Sequence, residues 1–390
     1  MNKSPTTITK ITSSQQTTSL PQAVPATKST PSTQSTPISI CIITKNECDT
    51  LRQCLTCLKP YADAGKHEIV LVDTGSTDNT VEICKEFTDK IYYFEWINDF
   101  SAARNYAAEK ASHDWILCID SDEFVTEWDE KELQNLINNN PTMIGNMVQR
   151  NTCGHEGETY KSDERASRLY NRKFYHFERS IHEQLVPTNP DTGFHYKGIQ
   201  IIADHMSYSG SVEDLRKKAE RNITLLKKEL KINPHDPYTL FQLGQSYYMI
   251  DDYKNANYYY GLGLEEDVDP NLGYVSTMVV SYGYTLLNLK QFDQALLLES
   301  VYDAFCNRSD FVFLMGLIYM NTGYIEKAIQ QFKKATTFDF CKVEGVTTYK
   351  AWYNLGVIYE CTNHIKDAVY YYQKCGEYAQ AKDRLKHLLS

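Results

Sequence analysis

Between residues 38 and 123 the apolar positions form short β-rich runs, separated by stretches with apolar residues at helical spacing. Residues 38–43 (ISICII), 68–72 (EIVLV), 91–94 and 115–119 (WILCI) read as strands. Leu51, Cys54, Leu55 and Leu58 lie on one helical face of residues 47–58. A second helix capped by Thr77 or Asp78 runs to Phe87, and a third covers residues 100–111. Strand–helix alternation of this kind predicts an α/β fold, a parallel sheet with helices on both faces. Ligands then bind at the carboxyl ends of the strands. Asp73 stands there after strand two, and Asp120 and Asp122 after strand four. Residues 124–210 are less regular, with a helix over 129–139, several short strands, and a high density of charged and aromatic side chains.

Residues 213–390 follow a different rule. Gly244, Gly283, Gly316 and Gly356 each precede an alanine by twelve residues: Ala256, Ala295, Ala328 and Ala368. In three copies an aromatic follows the glycine by three (Tyr247, Tyr319, Tyr359) and another follows the alanine by four (Tyr260, Phe332, Tyr372). The second copy has Leu286 and Glu299 at those places. Small residues let paired helices approach and aromatics fill between them, so the pattern resembles the tetratricopeptide helix–turn–helix unit and implies a short all-α solenoid. Residues 211–231 read as the helix joining the two regions. At the other end, residues 1–37 hold seven Ser, ten Thr and five Pro with no Asp, Glu or Arg. Such a segment buries too little apolar surface to offset its ordering entropy and is expected to be a disordered tail. The expected domains are therefore 1–37, 38–212 and 213–390.

Composition narrows the function. The net charge is −10, from 40 basic and 50 acidic residues, which disfavours a nucleic-acid partner. There is no apolar run long enough for a membrane helix and no secretory leader, and the eleven cysteines are scattered. A cytoplasmic protein with reduced thiols is expected. Cys54 and Cys57 form C-x-x-C inside a helix, where packing is the better reading. Neither G-x-G-x-x-G nor G-K-[ST] occurs, so a bound nucleotide would lack a glycine-rich cradle. Asp120-Ser121-Asp122, just past a buried strand, is able to hold a divalent cation against phosphate oxygens; a solvated acidic turn is the plain alternative.

ICIITKNE (40–47), EIVLVDTGSTDNT (68–80), NDFSAARN (98–105) and DWILCIDSDE (114–123) occur in this order and at spacings that resemble family 2 glycosyltransferases of the GT-A fold. RSIHEQL (179–185) and ADHMSYSG (203–210) resemble later elements of the branch with C-terminal tetratricopeptide repeats, which includes the sublancin-type peptide S-glycosyltransferases. The resemblance implies a UDP-sugar donor with Mn²⁺ or Mg²⁺. By the same resemblance Asp73 would bind the uracil, Thr44 and Glu47 would line the nucleoside pocket, and Arg104 would lie near the donor. Asp120 would face the ribose or sugar, and Asp122 with His205 would hold the metal. Glu183 would be the base of an inverting transfer, with His182 as its fallback. Arg165 and Arg168 would contact the diphosphate or brace an acceptor loop. Many family 2 members carry an E-D pair where this chain has His182-Glu183. A peptide or protein acceptor presented by the repeats, through Cys or Ser/Thr, is the leading expectation. A cell-surface polysaccharide or lipooligosaccharide transferase and a non-catalytic repeat scaffold are the alternatives. The oligomeric state, a homo-oligomer included, is left open.

Overall fold

The computed structural model describes residues 35–155, 158–205 and 212–389. Most of the Ser/Thr/Pro-rich tail, and the stretch 206–210 of one motif, lie outside the described residues. The chain divides into two compact units, and the main division falls between residues 209 and 210.

The N-terminal unit is built on an eight-stranded sheet of order β3-β2-β1-β4-β7-β6-β10-β5. Strands β1 (Ser39–Thr44), β2 (Glu68–Asp73), β3 (Ile91–Tyr93) and β4 (Trp115–Cys118) run parallel, as their apolar runs predict. Helix α1 (Leu51–Gly65) and helix α4 (Glu130–Asn139) cover one face, where Leu51, Leu55, Leu58, Leu133 and Leu136 pack on Ile40, Ile42 and Leu117. Helix α3 (Phe100–Lys110) covers the other, where Ala107 and Ala108 meet Cys41, Val70 and Cys118. The short α2 (Thr80–Lys85) follows β2, and Asp78 Oδ1 accepts from the Thr80 N–H at its start.

Beyond β4 the sheet is mixed. β5 (Glu123–Trp128) is antiparallel to β10 (His195–His205), and β10 is parallel to β6 (Met143–His155). β7 (Glu158–Asn171) runs antiparallel to β4. β6 and β7 are long strands, not the short ones their polar sequence suggests. A small hairpin, β8 (Tyr175–Glu178) and β9 (Gln184–Pro187), lies against α3. Asn105 fixes it there: its side chain donates to the Phe177 carbonyl at 2.8 Å and accepts from the Phe177 N–H at 2.9 Å.

The C-terminal unit is helical. After α5 (Val212–Ile232), the pairs α6 (Pro237–Met249) with α7 (Tyr253–Glu265), α11 (Ser309–Asn321) with α12 (Ile325–Ala335), and α13 (Tyr349–Cys361) with α14 (Ile365–Lys374) follow the repeat. A Cβ on Gly244, Gly316 or Gly356 would lie 2.4, 2.7 or 2.5 Å from the ring of Tyr260, Phe332 or Tyr372. The four alanines of the pattern are fully buried. The divergent copy is α8 (Gly273–Asn288) with a second helix broken into α9 (Phe292–Leu296), a 3₁₀ turn and α10 (Tyr302–Phe305). There Leu298 lies under Gly283, and Glu299 turns outward to Tyr319 and Lys327. α15 (Ala379–Leu389) closes the described chain. In the tyrosine runs the third ring of each, Tyr260 and Tyr372, is core. The second rings, Tyr259 and Tyr371, stack on Tyr247 and Tyr359, and the first, Tyr258 and Tyr370, are half exposed.

This packing makes the glycines demanding. Gly356→Ala is expected to cost about 1–3 kcal/mol in urea unfolding despite alanine's better helix propensity, because the methyl group overpacks the Tyr372 ring. Gly273→Ala, where the added Cβ meets nothing within 4 Å, is expected to cost nothing. Equal costs for the two would show that close approach is not what these positions require.

Candidate active site

The carboxyl ends of the parallel strands bring the acidic residues together. Thr44 and Asp73 are register partners at the ends of β1 and β2. The Asp73 carboxylate accepts from the N–H groups of Gly75 (3.0 Å) and Ser76 (3.1 Å), so it shapes the turn after β2. The Thr44 carbonyl accepts from Thr74, while its hydroxyl is buried and unbonded. Glu47 opens the loop into α1: its N–H donates to Thr80 Oγ1 at 2.8 Å, and its carboxylate accepts from Thr50. Asn46, with φ +54°, ties this loop to the next by accepting from the Thr77 N–H at 2.7 Å. Two loops at the strand ends are thus locked to each other around Asp73.

A buried ionic network begins at the end of β4. Asp120 Oδ1 accepts from Arg104 Nη2 at 2.7 Å, and its Oδ2 accepts from Arg168 Nη2. Arg104, 5% exposed on α3, also donates from Nε to Glu183 Oε1 in the loop of the β8–β9 hairpin. Its Nη1 is buried without a hydrogen-bond partner. Arg168 donates to Glu123 Oε1 at 3.0 Å. Glu123 is fully buried and accepts as well from Gln149 Nε2 (2.7 Å) and the Asp120 N–H (2.8 Å), which anchors the Asp120–Asp122 turn. Burial opposes ionisation of Asp120, yet the two guanidinium groups hold its carboxyl well below the usual carboxylate range. For Glu123 burial wins over Arg168, and its carboxyl is pushed up.

Asp122 faces the other side of the turn. Its Oδ2 lies 3.3 Å from His205 Nε2, and His205 Nδ1 lies 2.7 Å from Asn151 Oδ1. His182 and Glu183 occupy the hairpin loop, in which Arg179 (φ +81°) and His182 (φ +50°) both take left-handed backbone. Left-handed conformations at two non-glycine residues are uncommon and gather at sites where surrounding structure holds a loop to one shape. The Ser180 carbonyl accepts from the Phe100 N–H at 2.9 Å, so α3 holds this loop as well as Glu183. Arg165 stands apart. It lies three positions before Arg168 on an extended strand, hence on the opposite face, and is exposed against Gly198. Cys54 is buried in α1 and donates to the Asp120 carbonyl; burial pushes its thiol far above the usual range, in keeping with a packing role.

Residues 39–197 match the model for glycosyl transferase family 2, and residues 309–340 match that of a tetratricopeptide repeat. The chain carries a family 2 glycosyltransferase domain followed by tetratricopeptide repeats. It is 29% identical over 218 residues to the SPbeta prophage-derived glycosyltransferase SunS of Bacillus subtilis, covering 55% of this chain and 50% of that protein. It is 30% identical over 237 residues to a TPR repeat-containing protein of Synechococcus elongatus, covering 59% of this chain and 57% of that one. The chain thus spans about half the length of these curated relatives. Among solved structures, the crystal structure of MamA aligns with 46% of this chain and 98% of its own, at 20% identity and a TM-score of 0.35. Within the family 2 domain, Glu123, Gln149 and Asn151 join the site without having stood out in the sequence. Glu123 directly follows the D-x-D triplet, and Gln149 and Asn151 alternate along β6, which are the two signals that point to them.

Proposed function

We propose that the protein is a metal-dependent, inverting glycosyltransferase that moves a sugar from a UDP-sugar to a peptide or protein acceptor. The observation that carries this reading is the pairing of Asp122 Oδ2 with His205 Nε2 at 3.3 Å, beside an Asp120 held ionised by two arginines. One carboxylate oxygen and one imidazole nitrogen suit Mn²⁺ or Mg²⁺ that completes its shell with diphosphate oxygens and water. Among the described residues no group of three His, Cys, Asp or Glu could hold a metal ion. Bound there, the ion supplies charge stabilisation to the departing diphosphate.

The protein's own groups supply the rest. Thr44, Glu47 and Asp73 line the interlocked loops where a nucleoside would lie. Asp120 turns toward the ribose or sugar, and Arg104 and Arg168 fix its direction. The unbonded Nη1 of Arg104 is a donor awaiting an oxygen of the donor substrate. Glu183, oriented through Arg104, takes the acceptor's proton, with His182 next to it on the same loop. The repeats favour a polypeptide acceptor, since half-exposed tyrosines offer wide amphipathic contact at low entropy cost. Among the described residues no helix is long and apolar enough to cross a membrane.

Isothermal calorimetry with UDP and Mn²⁺ tests the reading. Heat that requires both components, and that vanishes in Asp122→Ala, is expected. Absence of any heat from the unaltered protein would remove the donor assignment and leave a repeat scaffold.

A further inference from the structure

We propose that Asn151 is a positioning residue that presents His205 Nε2 to the cation; the inference rests on the metal reading above. His205 has two register partners, Glu123 on β5 and Asn151 on β6. Glu123 is already committed to Arg168, Gln149 and the Asp120 N–H. Asn151 is buried, and its Oδ1 lies 2.7 Å from His205 Nδ1. An amide oxygen can only accept, so this contact places a ring proton on Nδ1, and Nε2, on the Asp122 side, is the nitrogen that would bind a cation there. A hydrogen bond at the far nitrogen fixes both the tautomer and the ring plane and raises the basicity of the ligating nitrogen.

The test is Mn²⁺ binding to the full chain in the presence of UDP, read from loss of the free-ion EPR signal. Pulsed EPR gives a second readout, the ¹⁴N modulation of a coordinated imidazole. Asn151→Leu is expected to weaken Mn²⁺ binding by about 10–100-fold and to abolish the nitrogen modulation. Asn151→Asp, which keeps an acceptor at the same place, is expected to bind at least as tightly as the unaltered protein and to keep the modulation. Unchanged affinity in Asn151→Leu overturns the inference while the metal reading stands. If that variant does not fold, Asn151→Asp decides: lost modulation or binding weakened by more than about tenfold overturns the assignment. No Mn²⁺ binding by the unaltered protein removes the metal reading and this inference together.

Discussion

Arg104→Met is expected to destabilise the N-terminal unit by about 3–5 kcal/mol. Arg104 is nearly fully buried and is the bridge between Asp120 on β4's end and Glu183 on the hairpin. Burial opposes its charge, but Asp120 and Glu183 outweigh that and hold its guanidinium well above the usual range. Methionine fills much of the same volume and leaves the partly buried Glu183 without that partner, while Asp120 keeps only Arg168. The cost therefore comes chiefly from an uncompensated carboxylate, not from a lost cavity fit. Arg104→Lys is not expected to rescue it, because a single ammonium cannot meet two carboxylates through separate nitrogens at these directions. Adding Glu183→Gln to Arg104→Met is expected to recover part of the loss, since the stranded charge is gone. Urea unfolding followed by tryptophan fluorescence reads this unit, because Trp96, Trp115 and Trp128 lie in it and only Trp352 lies in the repeats. A loss below about 1 kcal/mol would mean that water reaches and relaxes the network.

The same bridge shows which parts of the site were legible along the chain. The parallel strands were, because runs such as ISICII and EIVLV are apolar on both faces and need no partner to be recognised. So were the repeat contacts, since the glycine, alanine and aromatic positions answer to one local volume constraint: Tyr260, Phe332 and Tyr372 each lie over the glycine of their own copy. The divergent copy was legible only as a gap. Its 3₁₀ turn moves Leu298 under Gly283 in place of Glu299, and helical spacing cannot anticipate a change of helical type. Glu123 and Asn151 depend on β5, β10 and β6 meeting in one register, a tertiary fact with no local trace. β6 and β7 are long, yet their polar alternation hides them, and with β7 unassigned Arg165 and Arg168 read as a pair. Once the strand is known, their odd spacing separates them.

Glu183→Gln separates two kinds of acceptor. Glutamine keeps an oxygen for Arg104 Nε and nearly the same shape, so the hairpin loop stays folded and donor binding stays intact. What it removes is the ability to take a proton. A hydroxyl acceptor needs that help in the transition state, and kcat/KM is expected to fall by about 10²–10⁴. A thiol ionises readily near neutral pH and attacks as thiolate, so the loss is expected to stay within about tenfold. The measurement uses two acceptor peptides that differ only in Ser against Cys, with product followed by mass spectrometry and the donor KM checked in each case. Arg104 gives the comparison its force. By gripping Glu183 Oε1 it aims the other oxygen, so in Glu183→Gln the side chain keeps its direction and loses only the ability to take a proton. Equal turnover of Glu183→Gln and the unaltered protein on both peptides would take the proton-accepting role from Glu183 and pass it to His182, the neighbour held by the same left-handed turn.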